Sequence, residues 1–196
     1  MGNISEQEHI KRFVSGDNGA FNFIIRKWQV PVYEIAYRYV GSKQDAKDIC
    51  QNTFVSVYRN LKKLKDNASF STWIYRIAVN LCKDELKKRK RKINLDLSFK
   101  GYNKSGSDSL VEVNPDFEED MMKKDIQEII KRAVNSLSEE QKVVVILKEY
   151  QGLKFREVAE ILKISENTAK SRMYYALKNI KSKLESQNLD KEVYSR

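Results

Sequence analysis

The chain has 196 residues, 41% of them hydrophobic and 33% charged, and Lys+Arg 37 against Asp+Glu 27 leave a formal charge of +10. Only 7 Gly and 2 Pro are too few turn-formers for an all-β sandwich or barrel, and no run approaches the roughly 18 apolar residues of a membrane span. MGNISEQEHIKRF at the start lacks the apolar stretch of a secretory signal, and two cysteines cannot supply a disulfide framework. The expectation is a soluble, basic, all-α protein of a reducing compartment, with a polyanionic partner.

Ser5 to Val14 reads as a short helix opened by Ser5 with Glu8 three residues on. Gly16-Asp17-Asn18-Gly19 is a turn signal. Ala20 to Val40 carries apolar residues at steps of three and four, with Pro31 predicting a kink or a lost hydrogen bond. Gly41-Ser42 ends that helix, and Asp45 to Leu61 forms the next, with Ala46, Ile49, Cys50, Thr53, Phe54, Val57, Tyr58 and Leu61 on one face. A polar loop, Lys62 to Ser69, leads to a long helix from Phe70 to about Lys92, its inner stripe Phe70, Ile74, Ile77, Ala78, Leu81 and Leu86. Residues 1–92 thus read as one helical domain.

Ile93 to about Asp125 breaks the pattern and reads as an acidic linker. Fully extended, its 33 residues would reach about 110 Å, roughly 30 base pairs of duplex, whereas a flexible coil of that length averages about 30 Å. The second domain, 126–196, begins with a helix from Ile126 to Asn135, followed by one capped by Ser138 that runs to about Tyr150 and is ended by Gly152. Phe155 to Leu162 is a short helix, Lys163-Ile164-Ser165 a turn, and Glu166 to Leu184 the last helix, with Ala169, Met173, Ala176, Leu177, Ile180 and Leu184 inward.

Charge is concentrated. Lys83 to Lys92 and Lys154 to Leu184 each carry net +5, while Gly101 to Asp120 carries net −5. Two basic patches about an acidic strip suit a protein that touches nucleic acid twice, though a solvated helix face looks the same by charge alone. The segment FREVAEILKISENTAKSRMYYALKNIKSKL has the layout of a helix-turn-helix. Ala159 and Ala169 permit a close crossing, and Ser165 is placed to cap the second helix. The outward face is then Asn167, Thr168, Lys170, Ser171, Tyr174, Tyr175 and Lys178, with Arg172 on the flank: hydrogen-bonding and cationic groups that suit base edges and phosphates. A plain helical hairpin with a solvated face is the alternative. In the Phe70–Lys92 helix, Trp73, Tyr75, Arg76 and Asn80 precede a basic run, the combination that unpaired bases require. By periodicity alone Trp73 reads as core rather than as a stacking platform; Arg76 and Asn80 share a face one turn apart.

Three motifs, in order, carry a resemblance. Asp45-Ala46-x-Asp48-Ile49-x-Gln51-x-Thr53-Phe54, then Phe70-x-x-Trp73-Ile74-x-Arg76-Ile77-Ala78-x-Asn80, then Thr168-Ala169-Lys170-Ser171-Arg172 are similar to the sigma-70 family, extracytoplasmic-function group, over about residues 10–184. The resemblance implies a bacterial transcription initiation factor of two helical domains. It would bind core RNA polymerase, through the β′ clamp helices and the β subunit, and promoter DNA. It places Asp45, Asp48, Gln51 and Asn52 on the polymerase face. Asn67, Ser69, Trp73, Arg76, Asn80, Lys83 and Lys87 fall on the minus-ten element, with Trp73 as wedge or support and the Lys87–Lys92 run on adjacent backbone. Asn167, Thr168, Lys170, Ser171, Arg172, Tyr174 and Tyr175 fall on the minus-thirty-five element. The acidic linker resembles the segment threaded through the polymerase's RNA exit path.

Tyr175 stands where many relatives carry Arg, Ala169 where Val is usual, and Lys163 at a turn position often held by Gly, so the upstream promoter sequence stays open. An anti-sigma factor is implied as a further partner, holding a cytoplasmic protein at the inner membrane face without membrane insertion. No enzyme site is visible: His9 suits a surface or packing role, Cys50 and Cys82 lack ligand spacing, and Asp45 and Asp48 have no completing ligands. No cofactor and no small-molecule substrate are expected. The other readings are a free-standing helix-turn-helix regulator, which would bind its operator without polymerase, and a DNA-processing enzyme, which would need a nucleophile or metal set in residues 1–92.

Overall fold

The computed structural model describes residues 5–64, 70–99 and 128–185, which hold helices and turns and no strand. Helix α1 (Glu6–Val14) starts where the Ser5 hydroxyl accepts the Glu8 N–H at 3.3 Å. A 3₁₀ turn, Asn18–Ala20, capped by Asp17, leads into α2 (Phe21–Val40). Pro31 sits inside α2, and the helix continues through it at the loss of the one bond its missing N–H would have made. Gly41 then adopts φ 74, a left-handed geometry that closes α2 with its N–H on the Tyr37 carbonyl. One residue later the Ser42 hydroxyl caps α3 (Lys43–Asn60) through the Asp45 N–H.

Helix α4 (Phe70–Phe99) crosses α2 and α3 and runs past Lys92, so the helical phase of the basic run continues into the stretch expected to be linker. The first lobe closes around Trp28, whose ring meets Phe70 and Tyr75 edge-on at 5.7 and 5.3 Å and whose Nε1 donates to Glu6 at 2.7 Å. Arg89 of the basic run turns inward. It bonds Asp45 and donates to the Val40 carbonyl at 2.8 Å, tying α4 to the start of α3 and the end of α2.

Helix α5 (128–135) opens the described part of the second lobe. Ser138 caps α6 (Glu139–Val145) through the Gln141 N–H at 3.3 Å, and α6 then widens into a π-helical turn over Ile146–Tyr150. Gly152 (φ 66) reverses the chain into α7 (Phe155–Leu162), and α8 (Glu166–Glu185) completes the lobe. Val143 to Leu147 are all buried, an apolar rod on which α7 and α8 pack.

The lobes do not stand apart. Buried residues of α2 and α4 join those of α6 and α7 in one cluster, because α7 lies against α4 and the π-helical turn lies against α2. This explains where α4 departs from its expected stripe. Tyr75, Val79 and Cys82 are buried, while Ile77, Leu81 and Leu86 are only half-buried. Burial pushes the Cys82 thiol up to about 12 and raises that of Cys50 as well, so both remain protonated at neutral pH. His9 stacks on Phe23 at 3.9 Å, a packing role.

Candidate nucleic-acid interface

Helix α7 begins where the Glu157 carboxylate accepts the Lys154 N–H at 2.7 Å. It ends at Lys163, whose φ of 54 makes it the one non-glycine left-handed residue among those described. The Ile164 N–H then reaches back to the Ala159 carbonyl at 3.0 Å, closing the turn with a side chain where glycine is the cheaper choice. Ser165 accepts the Thr168 N–H at 3.0 Å and fixes the first turn of α8. Ala159 of α7 and Ala169 of α8, the small residues expected at the crossing of the two helices, are both buried. Ser165→Ala is expected to cost about 1 kcal/mol, read as a lower Tm in thermal unfolding; an unchanged Tm would show that the cap is dispensable.

On the outer side of α8, Asn167, Lys170, Ser171, Tyr174 and Tyr175 are exposed. Tyr174 and Tyr175 meet edge to face at 5.4 Å and form an aromatic ridge. Lys170 pairs with Glu166 at 2.7 Å within the helix, a contact solvent screens and a phosphate can replace. Two residues of that stripe are engaged elsewhere. The Thr168 hydroxyl shares a hydrogen bond with Ser165 at 2.8 Å, and Arg172 is half-buried on Glu140 of α6 at 2.7 Å. Leu177, expected inward, is exposed: it lies beside the covered stripe of Met173, Ala176 and Ile180 and not on it.

In the first lobe, Trp73 is half-buried and lines a cleft of about 340 Å³ with Ser56, Asn60, Lys63, Leu64 and Ile77. Apolar ring and aliphatic walls beside an amide and an ammonium can receive a flat, hydrogen-bonding ring attached to an anionic chain. Asn60 and Lys63 are not among the residues the motifs mark; the one signal for them is their position at the end of α3, facing α4 across the loop. Asn67 and Ser69 lie outside the described residues. Asn80 is exposed on α4, Lys83 is half-buried, and Lys87 is exposed with Asp84 at 4.0 Å. Lys88, Lys90, Arg91 and Lys92 continue the exposed basic track, whereas Arg89 is held by Asp45.

Arg76 is the exception. Its Nη2 donates to the Glu160 carbonyl of α7 at 2.9 Å and lies 3.4 Å from the Glu160 carboxylate. The structure therefore directs this side chain to the second lobe and not to the Trp73 cleft.

Toward the start of α3, Asp48, Gln51 and Asn52 are exposed, and Asp45 is turned toward Arg89. Gln51 forms a ridge between a polar cleft against α4 and an apolar groove of about 430 Å³ against α2. The groove is lined by Ile25, Val30, Tyr33, Cys50 and Phe54, with Val30 59% exposed. No sequence pattern announces it, since Val30 stands off the inward stripe and its neighbours meet only when α2 and α3 pack. Among the described residues no group of three or more His, Cys, Asp or Glu could hold a metal ion, and no helix is long and apolar enough to cross a membrane.

These features define a two-lobed, all-helical helix-turn-helix protein with a second cationic and aromatic face on its first lobe. Residues 24–92 match the family model for sigma-70 region 2, and residues 127–180 that for sigma-70 region 4. The chain is 30% identical over 184 residues to the ECF RNA polymerase sigma-E factor of Haemophilus influenzae, covering 93% of this chain and 96% of that one. Its fold is similar to that of CnrH in complex with the cytosolic domain of CnrY (TM-score 0.67, 19% identity, 92% and 97% of the two chains). It is similar also to the sigma factor RpoE in complex with the anti-sigma factor NepR from Bartonella quintana (TM-score 0.63, 19% identity, 84% and 96%). The chain belongs to the sigma-70 family, in its extracytoplasmic-function group, and is a transcription initiation factor.

Proposed function

We propose that this sigma factor docks on core RNA polymerase through the α2–α3 side of its first lobe, captures unpaired minus-ten bases with α3 and α4, and reads the minus-thirty-five duplex with α8. The docking surface is the apolar groove around Val30 with Gln29, Lys47 and Gln51 on its rim, continued past Gln51 by the polar cleft of Asp48 and Asn52, an apolar centre with a polar border of the kind protein partners use. The strand-capture site is the Trp73 cleft, with Asn60 and Asn80 as edge readers and Lys63, Lys83, Lys87 and the track beyond as backbone guides. Asn67 and Ser69 are assigned to the same element by the family resemblance of the loop that precedes Phe70. Duplex reading falls to Asn167, Lys170, Ser171, Tyr174 and Tyr175. Thr168 acts as cap, and Arg172 as a positioning residue that reaches a phosphate only by leaving Glu140.

The observation that carries this reading is the Trp73 cleft at the head of a basic helix, on the same chain as a helix-turn-helix with a cationic outer face. Nothing in these roles makes or breaks a covalent bond, and the protein is assigned no catalytic residue, cofactor or small-molecule substrate. By analogy with the NepR complex, an anti-sigma factor is a further partner, holding the chain in the cytoplasm at the inner membrane face until released.

Run-off transcription with sigma-free core enzyme over a promoter library is expected to give discrete transcripts that share one upstream and one downstream motif. Tight duplex binding without polymerase, and no transcript with it, would favour a free-standing regulator instead. Within that assay, Lys170→Ala is expected to weaken recruitment and lower the slope of log affinity against log salt by about one unit. An unchanged slope would remove Lys170 from the phosphate contacts.

A further inference from the structure

We infer that Lys163, in the turn between α7 and α8, keeps a strained backbone geometry because its ammonium contacts a phosphate of the upstream duplex. This rests on the assignment of α8 to duplex reading. Lys163 adopts φ 54 and ψ 48 at the end of α7, a left-handed geometry in which a side chain crowds the following carbonyl. The other positive-φ residues among those described are Gly16, Gly41 and Gly152, so glycine fills every such position but this one. The turn itself makes no use of the lysine side chain. It closes through the Lys163 N–H on the Glu160 carbonyl at 3.4 Å and the Ile164 N–H on the Ala159 carbonyl at 3.0 Å, bonds that glycine would make as well. Strain of this kind persists where the side chain serves something beyond the local fold.

The charge is also uncompensated. Acids stand three residues to either side, and each is occupied by another cation: Glu160 lies 3.4 Å from Arg76, and Glu166 lies 2.7 Å from Lys170. Arg172 is likewise held by Glu140 at 2.7 Å. Of the cations between Phe155 and Met173, only Arg156 and Lys163 enter no ion pair among the described residues, and both are exposed. Arg156 sits on ordinary helical backbone in the first turn of α7; Lys163 alone joins a free charge to a conformation that disfavours a lysine. In a helix-turn-helix the second helix enters the major groove by its N-terminal residues while the first crosses the backbone. The turn that joins them therefore rides at the edge of the groove, where phosphates pass. An exposed, unpaired ammonium at that place can release a counterion from one of them. The Ser165 cap, accepting the Thr168 N–H at 3.0 Å, holds the turn in fixed relation to the reading face of α8.

Thermal unfolding of the full chain reads the strain, and salt titration of closed-complex formation by the reconstituted holoenzyme reads the contact, on a promoter duplex recovered by the run-off selection. Lys163→Gly is expected to move the two readouts in opposite directions. Its Tm should rise by about 2–4 °C as the strain is relieved. Its promoter affinity should fall about fivefold at about 0.15 M salt, with the slope of log affinity against log salt smaller by about one unit. Lys163→Asn, which accepts the left-handed region without a charge, should lose the same slope. Lys163→Arg keeps the charge and should keep the slope and, within about twofold, the affinity. A glycine variant that is more stable and binds with an unchanged slope would reduce Lys163 to a tolerated turn residue and overturn the proposal. A Tm that falls with glycine, or a slope that arginine fails to keep, would overturn it too. Lys170→Ala, titrated in parallel, tells the two assignments apart. If it lowers the slope and Lys163→Gly does not, the Lys163 contact alone falls; if neither does, the assignment of α8 falls and the Lys163 contact with it.

Discussion

Asn80→Ala is expected to leave closed-complex formation intact and to reduce strand opening by roughly 5- to 150-fold, the loss of about 1–3 kcal/mol carried by one base-edge contact. Asn80 is exposed on α4, two turns beyond Trp73, so its truncation leaves the core untouched and should change stability by no more than about 0.5 kcal/mol. The side chain sits where a strand leaving the Trp73 cleft would pass before meeting Lys83 and Lys87. Permanganate reactivity of unpaired thymines in the minus-ten region gives the readout. Normal reactivity with the variant would remove Asn80 from strand capture and leave the cleft lined by Asn60 as the reader.

Val30→Asp is expected to weaken association with core polymerase by more than about 100-fold, because a carboxylate forced into an apolar contact loses its hydration without gaining a partner. Val30 is exposed in the free chain, so the fold should survive and the Tm should move little. Anisotropy titration of the labelled protein with core enzyme measures this. An unchanged Kd with a folded variant would move docking off the α2–α3 groove and onto the polar cleft around Asp48 and Gln51.

The local grammar of the fold is legible in the sequence wherever the deciding contacts are short-range. Ser5, Ser138 and Ser165 each cap a helix from the position their spacing indicates, while Ser42 caps α3 so that it starts at Lys43, two residues ahead of the expected Asp45, and Gly41 and Gly152 end helices by adopting the left-handed geometry only glycine takes without strain. The α7–turn–α8 unit follows from the same signals. Residues distant in sequence decide what remains illegible. The burial of Tyr75, Val79 and Cys82 comes from contacts distant in sequence, the Tyr75 ring on Trp28 of α2 and its hydroxyl on Gln151 among them, and nothing in the period of α4 announces a second covering element. Leu177 is expected on the inward stripe, yet the covered stripe of α8 runs through Met173, Ala176 and Ile180 and leaves Leu177 at its edge.

The candidate sites divide along the same line. Lys170, Ser171, Tyr174 and Tyr175 can be assigned from helical phase because α8 is a single element with one covered side. Asp45 and Arg89 each look like surface charges in the sequence, one for protein and one for DNA, and instead hold each other where α3 meets α4. Helical phase sets Arg76 beside Asn80, yet its side chain is drawn to Glu160, 84 positions away. The apolar groove at Val30 and the Asn60 and Lys63 side of the Trp73 cleft exist only once α2, α3 and α4 are packed.

Mixing the purified chain with sigma-free bacterial core RNA polymerase and separating the species by size is the most direct trial of its central role. A one-to-one complex that forms without DNA and is lost with Val30→Asp is the expected result. A chain that never co-elutes with the enzyme, while binding promoter duplex tightly by itself, would contradict it.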